Sequence, residues 1–320
     1  MLTLTPERFA SNCLSTDYCL LTTVYLSMSA LKETSRGEYG NELRAAVELA
    51  RAAGAAALSY QGGPLRVEHK EEFDEPVTQA DRAVNELIVR GLAEAFPADG
   101  ILAEESADTE RRLGCARVWM VDPLDGTKGF IAGSGDYAVQ IGLAVGGVAV
   151  LGVVYAPATD VLYWAARGHG AWVERTIPDA ESRVVVERLR VTAEASLGQM
   201  RLAESRSHRG PHMDTVVRAL GVRAEVKRHS VGIKVGLLVE RQADLYIHLS
   251  GKTKQWDTCA PEAVLAEAGG RMTDLWGDPL VYNTPDVYNR HGLVASNGAA
   301  HDLVVARMRP LLEQFGRARA

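Results

Sequence analysis

The spacing of hydrophobic residues changes along the chain, and each change predicts a different kind of structure. In the alanine-rich residues 41–59, apolar positions recur at helical spacing, and residues 82–92 show the same pattern. From residue 137 to residue 173, short apolar runs are separated by turn sequences such as Gly146-Gly147. Helical spacing predicts amphipathic helices, whereas short runs between turns predict an antiparallel meander of strands.

Beyond about residue 190, the pattern predicts strands and helices in alternation. Strands are predicted at 189–192, 200–204, 224–227, 243–248 and 293–296. Helices are predicted at 212–220, 231–241, 258–268 and 299–315. Because such alternation is typical of α/β units, we expect a mixed or parallel sheet with helices here. The sequence therefore predicts an α+β lobe over residues 41–187 and an α/β lobe over residues 188–320.

Residues 1–40 form an N-terminal extension to which the pattern assigns no role. Residues 18–31 are mostly apolar but short for a membrane span, and no basic cluster precedes them. A signal peptide is therefore poorly supported. One hypothesis is that the natural start is Met28 and that the residues before it are an upstream extension.

Composition and charge exclude several classes of protein. The 320 residues are 47% hydrophobic, enough for one large core or two packed lobes, and carry a net charge of −6. The sequence has no run of basic residues, which argues against a polymeric nucleic acid as partner. Cysteines 13, 19, 115 and 259 lack CxxC and zinc spacing, so free thiols in a reducing cytoplasm are the simplest account. We expect a cytoplasmic protein with no membrane partner.

Two carboxylates at the end of a predicted strand are the first candidate for chemistry. Asp122 and Asp125 flank Pro123 in the stretch Asp-Pro-Leu-Asp-Gly-Thr-Lys-Gly-Phe, directly after an apolar run at 118–121. Clustered carboxylates repel one another unless a cation holds them together. Asp-Pro and Asp-Gly are also ordinary turn dipeptides, so a plain turn stays an alternative. The haloacid-dehalogenase phosphatases are excluded, because they need an Asp nucleophile where this chain has Pro123.

Three further blocks accompany this stretch: Pro-Val-Thr-Gln-Ala-Asp at 76–81, Ile-Leu-Ala-Glu-Glu-Ser at 101–106, and a segment at 256–270 that begins Trp-Asp-Thr. In this order, the four blocks resemble the lithium-sensitive, magnesium-dependent phosphomonoesterase superfamily over about residues 41–306. That group contains inositol monophosphatases, fructose-1,6-bisphosphatases and 3′(2′),5′-bisphosphate nucleotidases. The resemblance implies an αβαβα layered, sugar-phosphatase-like fold, with the metal site between the lobes and sensitivity to Li⁺.

The resemblance also implies which residues bind Mg²⁺. Glu104, Asp122 and the backbone carbonyl of Leu124 would hold one ion, and Asp122, Asp125 and Asp257 a second, in a site of two or three ions. Mg²⁺ prefers oxygen ligands and keeps some of its waters, so a sparse set of carboxylates suffices. Several such ions can neutralise a phosphoryl group and its leaving oxygen together. Asp257 also suits a helix cap before residues 258–268, which is compatible with metal binding.

Asp81 and Thr127 are implied to work as a catalytic pair. In the family, the carboxylate accepts a proton from the Thr hydroxyl, whose oxygen orients the attacking water as general-base chemistry requires. The backbone N–H groups of Gly126 and Thr127 would also face the phosphate. The alternative for Asp81 is a helix cap before residues 82–92. Glu105 is a weaker candidate ligand than Glu104, because adjacent strand residues point to opposite faces.

The bisphosphate nucleotidases are the nearest match within the superfamily. Lys128 stands where inositol monophosphatases typically carry a second small hydroxyl residue. The corresponding nucleotide contacts in that subfamily imply a set of substrate-binding residues: Gly126, Thr127, Lys128, His208, Ser230, Lys234 and Lys254. Lys234, Lys254 and Arg206 are candidates to hold a second phosphate that is not cut. Each lysine could instead be an ordinary surface charge.

We therefore expect a Mg²⁺-dependent enzyme that hydrolyses the 3′-phosphate of adenosine 3′,5′-bisphosphate to AMP, linked to sulfate assimilation. Its partner would be this small phosphate ester, and a homodimer is left open. An inositol monophosphatase or fructose-1,6-bisphosphatase activity is the first alternative. A catalytically silent, metal-binding regulatory protein is the second.

Overall fold

The computed structural model describes residues 37–70, 75–177, 183–206, 210 and 212–319. Its α-helices are α1 (Gly40–Ser59), α2 (Gln79–Ala95), α3 (Thr127–Ile131), α4 (Met213–Leu220), α5 (Val231–Val239), α6 (Gln255–Glu267) and α7 (His301–Gln314). Its first strands are β1 (Val67–His69), β2 (Pro76–Thr78), β3 (Gly100–Ala103), β4 (Arg117–Asp125), β5 (Ala138–Val145), β6 (Val148–Ala156) and β7 (Val161–Ala166). The remaining strands are β8 (Ala171–Thr176), β9 (Val184–Leu189), β10 (Arg201–Ser205), β11 (Ala224–Arg228), β12 (Leu245–His248), β13 (Arg271–Thr273) and β14 (Leu293–Ser296).

The larger sheet contains seven strands in the order β3-β4-β5-β6-β7-β8-β9. β3 runs parallel to β4, and each later neighbour is antiparallel, as the predicted meander requires. α1 and α2 cover one face of this sheet, where Leu43 and Ile88 pack with Trp119 and Ile141 in a buried core. Burial of such large apolar side chains is the main source of stability in this layer.

The smaller sheet contains five strands in the order β11-β10-β12-β14-β13. β10 is parallel to both β11 and β12, whereas β14 is antiparallel to its neighbours. α5 and α6 lie between the two sheets, and their apolar residues share one core with both. α4 and α7 cover the outer face of the five-stranded sheet. The order helix, sheet, helix, sheet, helix confirms the predicted αβαβα layers.

A pair of glycines lets α6 approach the large sheet closely. Gly142 on β5 and Gly152 on β6 are opposite each other in the antiparallel register. A Cβ atom at Gly152 would lie 2.1 Å from the carbonyl oxygen of Ala260 on α6. Any side chain here would therefore push α6 away from the sheet. This contact sets the distance between α6 and the large sheet, and with it the position of Asp257 in the first turn of α6.

Most predicted elements agree with the structure, with one clear exception. The strand predicted at 189–192 is wrong, because β9 ends at Leu189 and the N–H of Val191 bonds to the carbonyl of Ala268 instead of a strand. The helix predicted at 82–92 is longer than expected at both ends. β9 also crosses residue 187, where the two lobes were predicted to meet, and the division into lobes stays a prediction. The hypothesis on Met28 lies outside the described residues.

Candidate active site

Most of the predicted site residues line a cleft at the C-terminal end of β4. Its walls come from the first turns of α3, α5 and α6, and its cavity volume is about 130 Å³. Acidic groups line one side: Glu75, Glu104, Asp122, Asp125 and Asp257. Basic groups line another: Lys128, His229, Lys234, His248, Lys252 and Lys254. A single cleft thus offers both cation-binding and anion-binding groups.

An irregularity in β4 brings its two carboxylates to the same side. Asp122 is opposite Gln140 on β5, but Asp125 is opposite Ala138, so the register shifts by one residue between them. Residues three apart on a regular strand would point to opposite faces. The extra residue of a bulge reverses that alternation. Asp122 and Asp125 therefore both line the cleft, as the sequence analysis predicted.

The carboxylate of Asp125 is held in one orientation by three hydrogen bonds to the same oxygen. Oδ2 accepts from the hydroxyl of Ser230, from the side-chain amide of Gln140, and from the backbone N–H of Gly232 at 2.8 Å. Ser230 is fully buried, and its hydroxyl also caps α5 by accepting from the N–H of Ile233. Ser230 therefore lies beneath Asp125 and does not line the cleft as the predicted nucleotide contact would.

Asp81 and Asp257 are placed by the same local structure at the start of two different helices. Each is the third residue of its helix, and Oδ2 of each accepts from the N–H of the residue before the helix at 2.8 Å. Those preceding residues, Thr78 and Lys254, have nearly identical backbone angles. Capping thus fixes one carboxylate oxygen of each Asp. Both helices begin earlier than the sequence predicted, so neither Asp precedes its helix.

The Thr127 hydroxyl lies between two acceptors. Its Oγ1 is 3.1 Å from Oδ1 of Asp81 and 3.1 Å from the carbonyl oxygen of Leu124. One hydroxyl carries one proton, so it can donate to only one of them at a time. Gly126, just before it, has φ of 96°, a conformation that other residues avoid. The 3.1 Å distance between Thr127 and Asp81 is thus short enough for the hydrogen bond that the predicted pair requires.

Burial and mutual repulsion raise the pKa values of the clustered carboxyls. For Asp122 the causes are burial first, then the charges of Glu104, Asp125 and Asp257. Burial is also the largest cause for Asp125 and for Asp257, whose pKa rises to about 8. In Lys234, burial lowers the pKa to about 8 against the pull of Asp125. A divalent cation would relieve the repulsion among these carboxylates.

The donor set fits Mg²⁺ chemically. It consists of carboxylates and one carbonyl, the hard oxygen ligands that Mg²⁺ prefers, and it contains no thiolate. In the described part of the chain, no three His, Cys, Asp or Glu side chains are already arranged around one point as a metal site. The assignment of Glu104, Asp122, Leu124, Asp125 and Asp257 as ligands therefore stays a prediction.

Some of the remaining predicted substrate contacts line the cleft and others do not. Lys128, Lys234 and Lys254 line the cleft. Arg206 instead donates to the carbonyl of Lys227 at 3.3 Å. His208 lies outside the described residues.

The sequence analysis missed a chain of polar groups on the cleft wall. Tyr246 Oη lies 3.2 Å from Nδ1 of His248, and Nε2 of His248 lies 2.7 Å from Ser250 Oγ. His248 is the last residue of the strand predicted at 243–248 and Ser250 follows it, and ligand sites in α/β sheets lie at the carboxyl ends of strands. That rule could have identified them. His229, also missed, precedes the cap of α5 and lines the same cleft.

Comparison with known proteins identifies the family to which the chain belongs. Residues 40–313 match the model of the inositol monophosphatase family. The chain belongs to the inositol monophosphatase family. This confirms the resemblance seen in the four sequence blocks, and members of this family are generally Mg²⁺-dependent.

Similarity to individual proteins shows which activities occur among the relatives of this chain. The chain is 36% identical over 256 residues to the 3′(2′),5′-bisphosphate nucleotidase CysQ of Salmonella typhimurium, covering 77% of this chain and 95% of that protein. It is 34% identical over 247 residues to a histidinol-phosphatase of Mycobacterium tuberculosis, covering 76% and 88%. The structure of CysQ from Bacteroides thetaiotaomicron superposes with a TM-score of 0.68 at 32% identity, covering 81% and 98%. The chain is therefore a phosphatase of this family.

Stability should depend on pH through the raised carboxyl pKa values. The unfolded chain loses these protons near the ordinary Asp pKa of about 3.9, whereas the folded protein keeps them to higher pH. Without metal, the folded state therefore loses stability as pH rises from about 4 towards 8, the pKa of Asp257. We expect the melting temperature in EDTA to fall by about 2 °C or more between about pH 5 and pH 8. Saturating Mg²⁺ should reduce that fall, and an equal fall with and without Mg²⁺ would contradict the prediction.

Among the described residues, no helix is both long enough and apolar enough to cross a membrane. Cys115 and Cys259 are free thiols, and the other two cysteines lie outside the described residues. The predicted cytoplasmic location is left as a prediction.

Proposed function

We propose that the chain is a Mg²⁺-dependent phosphomonoesterase that hydrolyses the 3′-phosphate of adenosine 3′,5′-bisphosphate, giving AMP and phosphate. One observation carries this proposal: a single cleft joins a cluster of buried carboxylates to a wall of lysines. A carboxylate cluster that binds Mg²⁺ suits the phosphate that is cut, because the metal ions lie between the two negative groups. The lysines suit a second phosphate that is retained. The similarity to CysQ supports the same substrate. Li⁺ sensitivity and a place in sulfate assimilation belong to this proposal.

In this proposal, Glu104, Asp122 and the Leu124 carbonyl would hold one ion, and Asp122, Asp125 and Asp257 would hold a second. Bound Mg²⁺ supplies charge neutralisation at the phosphoryl group and activation of the attacking water. The protein keeps the ligands oriented before substrate arrives: Ser230, Gln140 and Gly232 fix Asp125, and helix capping fixes Asp257.

Thr127 and Asp81 then position the attacking water. When the Thr127 hydroxyl donates to Asp81, its lone pairs are free to accept a proton from water. Asp81 is buried, and its own orientation is fixed by the N–H and hydroxyl of Thr78 at 2.8 and 2.6 Å. Burial is the largest cause of its raised pKa, which makes it a stronger base than an exposed Asp.

The lysines would hold the phosphate that is not cut. Lys128 is exposed at the cleft and follows the Asp-Gly-Thr sequence directly. The ammonium of Lys234 is buried, donates to the carbonyl of His229 at 2.9 Å, and lies 4.9 Å from the centre of the Tyr246 ring. A buried cation that is only partly compensated gains from a bound anion. Lys254 is paired with Glu75 at 3.2 Å, so a phosphate would compete with that carboxylate.

Histidinol phosphate is the second candidate substrate. The similarity to histidinol-phosphatase is close to that for CysQ. Glu75 also lines the cleft, and its carboxylate could pair with the amine of such a substrate. Inositol 1-phosphate and fructose 1,6-bisphosphate stay as the alternatives predicted from sequence.

The deciding experiment compares phosphate release from these four substrates with Mg²⁺, measured as kcat/KM. We expect adenosine 3′,5′-bisphosphate to be preferred over the two monophosphates, histidinol phosphate and inositol 1-phosphate, by about 100-fold or more, since a site built for two phosphates loses paired charges with a monophosphate. Lys128→Met should lower kcat/KM more for the bisphosphate nucleotide than for histidinol phosphate. Comparable rates on all four would indicate a broad phosphomonoesterase. No release from any would favour a catalytically silent protein.

A further inference from the structure

Lys70 enters the cleft from a different part of the chain. It follows β1 directly, and its ammonium lies 2.7 Å from Oε1 of Glu104 and 2.6 Å from Oε1 of Glu105. All three side chains are largely shielded, with 23%, 17% and 9% exposed, respectively. One ammonium therefore contacts two adjacent carboxylates where β3 ends and offsets only one of their two charges. One of these two, Glu104, is the carboxylate assigned to a metal ion in the proposed function.

We propose that Lys70 is an internal cation that exchanges with a divalent metal ion at Glu104. In the metal-free protein, Lys70 holds both glutamates. When a divalent ion binds, Lys70 releases Glu104 and keeps Glu105. This inference rests on the proposed function in one respect, namely that Glu104 is a metal ligand.

The two adjacent glutamates explain how such an exchange is possible. A lysine that lost its only partner would leave a buried charge unpaired, which is costly. Lys70 has three N–H donors and two carboxylate partners, so it still has Glu105 after it releases Glu104. Both glutamates lie in the turn after β3, so they need not point to opposite faces as on a strand. Glu105 thus gains a role that the metal ligands alone do not explain.

Other charges nearby do not replace Lys70 in this role. Lys254 also feels the charge of Glu104, but its ammonium pairs directly with Glu75 at 3.2 Å and lies near the rings of Trp256 and Tyr288. Asp81 and Asp122 add negative charge around Glu104 and favour any cation there. Lys70 and the metal ion therefore compete for the same carboxylate. The competition lowers the affinity of that metal position.

The test measures Mn²⁺ binding by calorimetry on the full chain without substrate. We expect Lys70→Met to tighten the weaker Mn²⁺ site by about fivefold or more, since it removes a positive charge within a few ångströms. Lys252→Met removes a positive charge from the same cleft and should change this affinity less. If Lys70 instead held Glu104 in place for the metal, Lys70→Met would weaken binding and overturn the proposal.

Glu105 provides an independent test. Glu105→Gln should weaken Mn²⁺ binding by about fivefold, because Lys70 then has Glu104 as its one remaining carboxylate partner and competes more strongly with the metal ion for it. In the Lys70→Met background, the same change should have little effect, since the two residues act through one contact. An equal loss in both backgrounds would overturn the proposal. These titrations need no substrate. If the Lys70 and Glu105 variants change Mn²⁺ affinity as expected but the protein does not hydrolyse adenosine 3′,5′-bisphosphate, the proposed substrate is refuted and the exchange at Glu104 is not.

Discussion

Asp125→Asn is expected to lower kcat/KM by about 1,000-fold or more while the protein stays folded. Asn can offer its carbonyl oxygen to the three donors that now bond to Oδ2: Ser230, Gln140 and Gly232. Its amide nitrogen then takes the place of the second carboxylate oxygen and presents N–H groups to the cation. Loss of a metal ligand removes charge stabilisation that acts mainly in the transition state. Phosphate release at saturating Mg²⁺ measures the effect.

Stability should move in the other direction. Burial raises the pKa of Asp125, so the ionised carboxylate is less stable in the folded protein than in the unfolded chain. Neutral Asn avoids this penalty, and the melting temperature in EDTA should equal or exceed that of the wild type. Asp302→Asn makes the same chemical change at an exposed carboxylate that is paired with Arg271, and activity should be retained. An Asp125→Asn enzyme within about tenfold of wild-type activity would refute the metal assignment.

The sequence indicated candidate site residues but not the contacts that hold them in place. Through their resemblance to a known family, the four sequence blocks indicated Asp81, Glu104, Asp122, Asp125 and Asp257 as candidates, and the roles of these residues stay predictions. The bulge that turns Asp122 and Asp125 to one side is set by pairing with β5, a distant segment. From sequence, the bulge could be inferred only indirectly, because two carboxylates three residues apart could bind one ion only if both faced the same side.

Ser230 shows why a motif alone can misplace a side chain. The Ser230–Lys234 stretch suggested two substrate contacts. Ser230 occupies the cap position of α5, where a hydroxyl turns back to the helix N–H groups. Its hydroxyl is therefore taken up by Ile233 and Asp125, whereas Lys234, one turn later, faces the cleft. The helix start was predicted correctly, but its consequence for Ser230 was not drawn.

Lys70 could not have been predicted from its local sequence. It lies in a charged stretch that would ordinarily be a solvated surface. Only the pairing of β1 with β2 brings it to Glu104, 34 residues away in the chain. Contacts of this kind depend on tertiary structure, whereas the capping of α2 and α6 could be expected from sequence.

Thr127→Val is expected to lower kcat by about 100- to 1,000-fold, which lies within the range of about 100- to 10,000-fold for a lost general base. Valine keeps the branched shape of threonine but removes the hydroxyl that bonds to Asp81. Mn²⁺ affinity should change little, because Thr127 is not an assigned ligand. Thr127→Ser keeps the hydroxyl and should retain most of the activity. Steady-state kinetics at saturating Mg²⁺ separates the effect on kcat from that on KM.

Asp81→Asn completes this argument, because Asp81 acts only through Thr127. Each single variant should break the same proton relay, so the double variant Asp81→Asn with Thr127→Val should be no slower than the worse single variant. Multiplied losses would mean that the two residues act independently and that the relay is wrong. Asp81 also accepts from the N–H and hydroxyl of Thr78, so some loss of stability from the cap is expected, about 1 kcal/mol. A kcat that falls only in proportion to the unfolded fraction would assign Asp81 to the helix cap alone.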